Sequence, residues 1–350
     1  MPRLVSVVSA PPENIVPQAV ATAFARETFG PLVPHLERLM TVFENTGIET
    51  RRMCKNLDWY REEHSLAESS AAYIEIATEL CAKASRGVLD RAGLEAKDID
   101  RIIYINTTGI ATPSIDARLT NILGLRADVR RTPIWGLGCA GGVAGLSHAY
   151  DHLVGHPDER VLLCSSEMCS LTLLRDDPSK SNVVATALFA DGAAAAILSG
   201  DETGDEGYQL IDSRSTLYPD SLSVMGWNVV SRGLQVVFDK NIPTIIKENA
   251  RKEIDSILAD NGLTLDDVTE FLYHPGGPKV LGAYAEAYGL NADRFQYSRD
   301  TLREFGNMSS VTVLYVLERY MKEHAPGRGG HAVVSSLGPG FASETLLMQL

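Results

Sequence analysis

Three polar side chains stand in surroundings that suit covalent chemistry: Cys139, His274 and Asn307. Cys139 lies in Trp135-Gly-Leu-Gly-Cys139-Ala-Gly-Gly-Val-Ala-Gly-Leu, with an apolar run entering and a small-residue stretch leaving. A strand, a tight glycine turn and a helix would present this thiol at a helix N-terminus. There the dipole and free backbone N–H groups lower a thiol pKa. The glycines let backbone approach a bound ligand closely. The same segment also reads as a small buried cysteine in a glycine-rich packing helix. Cys164 and Cys169 flank a strand end and read as core or pocket-lining residues.

A nucleophilic cysteine needs a base or a cationic partner. His148, His152 and His156 fall at i, i+4 and i+8 of a predicted helix, but no carboxylate or cysteine pattern completes a metal site, and a solvated helix face is the simpler reading. His274 ends an apolar run and precedes Pro-Gly-Gly-Pro. That places an imidazole in a loop at a strand C-terminus, where α/β ligand sites gather; an ordinary turn histidine is the alternative. Asn307 sits in Phe305-Gly-Asn307-Met-Ser-Ser before an apolar helix. Local rules make it an N-cap, and its amide there could also donate to a thioester oxygen.

The elements that must carry these groups alternate short apolar runs with longer amphipathic stretches, an α/β rhythm. Strands are predicted at 4–8, 102–105, 160–164, 193–198, 271–273, 333–336 and 345–348. Helices are predicted at 69–92, from Pro113 and Ser114 to Leu123, at 244–261, 277–288 and 307–324. The rhythm repeats in the second half. A boundary falls between Gly200 and Tyr218, where glycine and acidic residues cluster, dividing the chain into halves 1–208 and 209–350.

The chain has 350 residues, which suits one large or two similar domains. Hydrophobic residues make up 45% and charged residues 22%, an ordinary globular composition. The net charge of -13 argues against a broad basic face for nucleic acid. A phosphate-bearing ligand needs a local basic patch against that background. Five cysteines in no zinc pattern fit reduced thiols in a cytoplasmic protein. The first twelve residues do not form a signal peptide, and no run of about 18 apolar residues offers a membrane span.

With Cys139 in a glycine elbow, His274 before Pro-Gly-Gly-Pro, Asn307 in Gly-Asn-Met-Ser-Ser and Gly338-Pro-Gly-Phe near the end, the chain resembles the type III polyketide synthases, the chalcone and stilbene synthase family. The motifs run in the family's order over nearly the whole chain. The resemblance implies a thiolase-like five-layered α-β-α-β-α fold with two similar halves, in a homodimer. It implies an acyltransferase that joins acyl thioesters by decarboxylative Claisen condensation, with malonyl-CoA and acyl-CoA as substrates and no metal or other cofactor.

The resemblance also assigns roles. Cys139 matches the acyl-accepting nucleophile, His274 the imidazole paired with it, and Asn307 the second oxyanion donor. Phe189, in Leu-Phe-Ala-Asp-Gly-Ala-Ala-Ala, matches the aromatic gatekeeper, although a core Phe before a strand would look the same. Thr107, Thr112, Thr172, Val236 and Ser309 fall at cavity-shaping positions. Val236 replaces a second gatekeeper aromatic, which would widen the cavity. Met225-Gly-Trp-Asn-Val resembles members that take long fatty acyl starters and make alkylpyrones or alkylresorcinols. The family's basic coenzyme A cluster is only partly present. Arg38 and Lys279 are its substitutes, and the departure allows loading from an acyl carrier protein. A single-extension ketoacyl synthase III-like enzyme is the alternative reading.

Overall fold

The computed structural model describes residues 1–350. The first half contains strands β1 (Arg3–Ala10), β2 (Asn14–Pro17), β3 (Thr50–Met53), β4 (Arg101–Asn106), β5 (Arg130–Trp135), β6 (Arg160–Met168) and β7 (Asp191–Ser199). Its helices are α1 (Gln18–Phe29), α2 (Glu37–Asn45), α3 (Leu66–Ala92), α4 (Ile115–Leu123), α5 (Gly141–Gly155) and α6 (Lys180–Leu188). The second half contains strands β8 (Tyr208–Leu217), β9 (Met225–Val230), β10 (Gly233–Phe238), β11 (Val268–Tyr273), β12 (His331–Gly338) and β13 (Ala342–Gln349). Its helices are α7 (Ile242–Asp260), α8 (Pro278–Tyr288), α9 (Gln296–Phe305) and α10 (Thr312–Glu323).

Nine strands form one mixed sheet in the order β11-β12-β13-β8-β1-β7-β6-β4-β5. The seam between the halves is narrow: β1 meets β8 only at Arg3↔Gln209 and Leu4↔Tyr208. The apolar side chains sort into layers. Val143, Leu146 and Leu153 of α5 and Val313, Leu314 and Leu317 of α10 share one core with the strands of both halves. Tyr73, Leu80 and Val88 of α3 cover the outer face of the first half. Ile246, Ile254 and Leu281 of α7 and α8 cover that of the second. The order is therefore α3/α4, the first-half part of the sheet, α5/α10, the second-half part of the sheet, α7/α8, the five-layered thiolase-like arrangement.

Local signals explain the element ends. Helix α3 begins three residues before the predicted start, because Ser65 and Glu68 form a capping box. Helices α3, α4 and α8 stop at Gly93, Gly124 and Gly289, each in the left-handed region. One expectation fails. Asn307 is not the N-cap of the last long helix: a 3-10 turn over Ser309–Val311 intervenes, and α10 starts at Thr312. The reason is a competing partner, since Asn307 pairs with Phe189 as an isolated parallel bridge. No helix is long and apolar enough to cross a membrane.

Candidate active site

The Cys139 turn is shaped by steric necessity. After β5 the chain reverses through Gly136 (φ 97°) and Gly138 (φ 50°), both in the region that favours glycine. Cys139 follows in a single 3-10 turn that runs into α5. A Cβ on Gly138 would lie 2.6 Å from Pro339, and one on Gly142 would lie 2.2 Å from the Ser310 carbonyl oxygen. The nucleophile turn of the first half is thus clasped by backbone of the second. The Gly138 N–H donates to the Thr107 hydroxyl at 2.9 Å. Beneath it lies Glu167, fully buried. Its carboxylate accepts the N–H groups of Thr107 and Thr108, each at 3.0 Å, and the hydroxyls of Thr108 at 2.7 Å and Ser310 at 2.5 Å. Burial still raises the Glu167 carboxyl above the usual range, because desolvation outweighs those bonds.

Cys139 is buried, and burial pushes its thiol up to about 12. The Ser309 side chain opposes this, and the charge of Glu167 adds to it. Desolvation thus works against the lowering expected at a helix start. His274 follows β11, is 4% exposed, and has a hydrogen-bond partner on neither ring nitrogen. Burial alone pulls its pKa down to about 3. Burial thus disfavours the charged form of each group, thiolate and imidazolium alike.

Asn307 joins the parts. Its N–H donates to the Leu188 carbonyl at 2.9 Å, and its carbonyl accepts from Ala190 at 2.8 Å, on either side of Phe189. Its side-chain oxygen accepts the Ser309 N–H at 2.8 Å. Its amide donates to the Gly276 carbonyl at 3.3 Å, in the loop that carries His274. Ser309 takes φ 48°, a strained conformation held by these neighbours. The structure thus links Cys139, Ser309, Asn307, the His274 loop and Phe189 in one continuous set of contacts.

The remaining predicted residues spread more widely. Phe189, Thr172 and Val236 line a cavity of about 50 Å³, together with Cys169 and Trp227. Trp227 stands directly opposite Val236 across β9 and β10. The Phe189 ring is 6.0 Å from that of Trp227 and 5.7 Å from that of Phe238. The small side chain at 236 therefore does not by itself open this wall. A second cavity, about 370 Å³, shares Thr172 and Leu173 with the first and reaches out past Leu171 to Trp59, His64 and Arg232. Thr107 props the Cys139 turn and lines neither of these cavities. Thr112 is exposed on the loop after β4. Arg38 on α2 and Lys279 in the first turn of α8 are also exposed. His152 pairs with Glu159 at 2.6 Å and stacks on His156, and no group of three or more His, Cys, Asp or Glu side chains is placed to hold a metal. All five cysteines are free.

Sequence reasoning missed Glu167, Trp227 as a wall, and Arg51. A carboxylate a few residues after the apolar run Val161–Cys164 was the available signal for Glu167.

The N-terminal domain of the chalcone and stilbene synthases matches residues 2–202, and their C-terminal domain matches residues 209–350. The chain belongs to this family. Members are type III polyketide synthases, which are acyltransferases. A 1,3,6,8-tetrahydroxynaphthalene synthase of Streptomyces peucetius is 40% identical over 90% of this chain and 83% of its own. A putative chalcone synthase of Bacillus subtilis is 35% identical over 99% of this chain and 98% of its own. The crystal structure of the Streptomyces coelicolor 1,3,6,8-tetrahydroxynaphthalene synthase superposes with a TM-score of 0.95 at 28% identity, covering 99% of both chains. This polyketide synthase therefore shares the fold of that enzyme end to end.

Proposed function

We propose that this type III polyketide synthase holds a fatty acyl starter on Cys139, extends it repeatedly with malonyl-CoA, and closes the product to a pyrone or resorcinol. The observation that carries the chemistry is His274, a buried imidazole with two unpartnered nitrogens beside the loop that Asn307 holds. Burying such a group without partners costs stability and is retained where a substrate atom supplies the partner.

Neutral His274 takes the Cys139 proton as sulfur attacks the thioester carbonyl. The departing thiol, of coenzyme A or a carrier protein, receives it. Ring N–H of His274 and the amide of Asn307 donate to the oxyanion. Malonyl thioester then loses carbon dioxide, and the bonding electrons stay as an enolate held by the same donors. The enolate attacks the Cys139 thioester and expels the thiolate, lengthening the chain by one two-carbon unit. No step oxidises or reduces carbon, so this chemistry calls for no metal, flavin or nicotinamide.

The larger cavity beyond Thr172 supports the long starter in length, since it continues outward from the gate at Phe189, with Leu171, Leu173, Leu174 and Leu234 as its apolar lining beside the charged Glu62, Glu63, Arg175 and Asp176. Exposed Arg38 and Lys279, which line neither cavity, are free to meet coenzyme A phosphates at the surface. The homodimer reading is supported by β5 at the free edge of the sheet, with half-exposed Trp135 and Ile110 beside it. Thr112 then lies on the contact face rather than in its own cavity. Five free thiols support a reducing, cytoplasmic setting. A second reading, an aromatic product built from malonyl units alone, is favoured by the likeness to the Streptomyces peucetius synthase and by the narrow cavity at Phe189.

The deciding experiment is mass spectrometry of products from malonyl-CoA with acyl-CoA starters from acetyl to stearoyl, and from malonyl-CoA alone. Pyrones or resorcinols from long starters support the first reading. A hydroxylated naphthalene from malonyl-CoA alone replaces it with the second. One added two-carbon unit marks a single-extension enzyme. Cys139→Ala should gain no covalent starter mass; an acylated variant would remove Cys139 as nucleophile.

A further inference from the structure

Arg51 of β3 is a cation buried to 2% exposure without any carboxylate bonded to it. Its two terminal nitrogens bond mainly to the end of α6, while the buried Nε has no partner. It donates to the carbonyls of Thr186 at 2.7 Å, Ala187 at 2.6 Å and Phe189 at 3.0 Å, and to the side-chain oxygen of Gln18. Gln18 in turn donates to the Ala187 carbonyl at 3.1 Å, and to the Phe43 carbonyl and the Thr46 hydroxyl of the α2 end, each at 3.1 Å.

The last carbonyls of a helix have no partner within it. In α6 all are accounted for. Ala185 receives Phe189, Thr186 and Ala187 receive Arg51, and Leu188 receives the backbone N–H of Asn307. One cap thus fixes two working parts. Phe189 is the capping residue, and its neighbour on the bridge is Asn307. A planar fork suits several converging carbonyls in a way that a point charge does not.

We propose that Arg51, seated by Gln18, is a positioning residue that sets the Phe189 ring and the Asn307 amide together, and thereby decides how far a chain is extended before release. The proposal rests on the polyketide synthase reading of those two residues. Loading at Cys139 also draws on the Asn307 amide, but the nucleophile's own turn is clasped by Gly338, Pro339 and Ser310, so loading is less sensitive than extension. Extension depends on both positioned groups at once, and displacement of such a group by about 1 Å costs on the order of 100-fold.

The test uses Arg51→Lys in the full chain, with Trp59→Phe and Trp135→Phe so that Trp227 is the remaining tryptophan. Acylation of Cys139 by starter, read by intact mass, should fall by less than decarboxylation does. Malonyl-CoA decarboxylation should fall at least about tenfold, and released products should carry fewer extensions. Trp227 emission should shift to longer wavelength as Phe189 moves. A lowered melting temperature with an unchanged decarboxylation-to-acylation ratio and unchanged Trp227 emission would overturn the proposal and leave Arg51 a plain helix cap. If Arg51→Lys does not fold, Gln18→Ala carries the same test in the same direction. If the parent protein is never acylated, the polyketide reading fails, and the Trp227 shift alone decides whether Arg51 places Phe189.

Discussion

The Cys139 turn lies between two halves of the molecule, with backbone of the C-terminal half against its glycines. The β9–β10 hairpin faces the same site from outside the nine-stranded sheet, pairs only with itself, and leaves Val229 69% exposed. Its links to the body include an Arg232–Asp176 ion pair and a Gln235–Asp177 hydrogen bond at 3.1 Å. Bond-making groups are thus held where no atom can be added. The wall that meets the growing chain, with Trp227, Val236 and Phe238, sits where side chains can change without disturbing a core. Chemistry shared across a family and products that differ within it follow from that contrast.

The comparison breaks most sharply at Gly142. Gly142→Ala places a methyl 2.2 Å from the Ser310 carbonyl oxygen, and overpacking costs about 1–3 kcal/mol or more. We expect the upper end in urea unfolding, with loss of acylation; an unchanged midpoint would show that the turn can yield. Next is His274, pulled to about 3 by burial from an unfolded value of about 6.5. Between these values the unfolded chain binds the extra proton, so stability is present above pH 6.5 and is lost as pH falls toward 3. From pH 6.5 to 5 the wild type should lose about 2 kcal/mol more than His274→Asn. Equal pH slopes would mean that the imidazole is not dry.

On the hairpin side the effects are smaller. Val236→Phe should leave the fold intact and shorten the accepted starter in a competition assay; an unchanged preference would remove Val236 from the wall. Arg232→Ala, in a pair whose side chains are 54% and 46% exposed, should change stability by less than about 1 kcal/mol. A larger drop in chemical denaturation would show the hairpin to be anchored as firmly as the turn.

The elements with strong local signals were legible in the sequence. Helix α3 was found from its periodicity, and β4, β6 and β7 from their apolar runs, each within a few residues except at the end of β6. Helices α1, α2 and α6 and the β9–β10 hairpin were not foreseen. Their apolar faces are short, and α6 ends on an Arg51 that reads, in Thr-Arg-Arg-Met, as a surface cation. Asn307 looked like a cap because its local neighbours fit that rule, while the partner that claimed it, Phe189, lies far away in sequence. Cys139, His274 and Asn307 stood out through the motifs around them. Gln18 and Arg51 act largely through long-range bonds to backbone, which leave no spacing to read.

The central place of β1 bears on how the chain is made. Residues 3–10 pair with β7 at residues 193–199 and touch β8 just beyond. A ribosome adding about 5–20 residues per second needs roughly ten to forty seconds to supply that partner. Throughout that interval β1 is an open edge, able to template pairing with another nascent chain. A chaperone that shields this segment until β7 arrives would raise the yield of folded protein more than one acting on the completed chain.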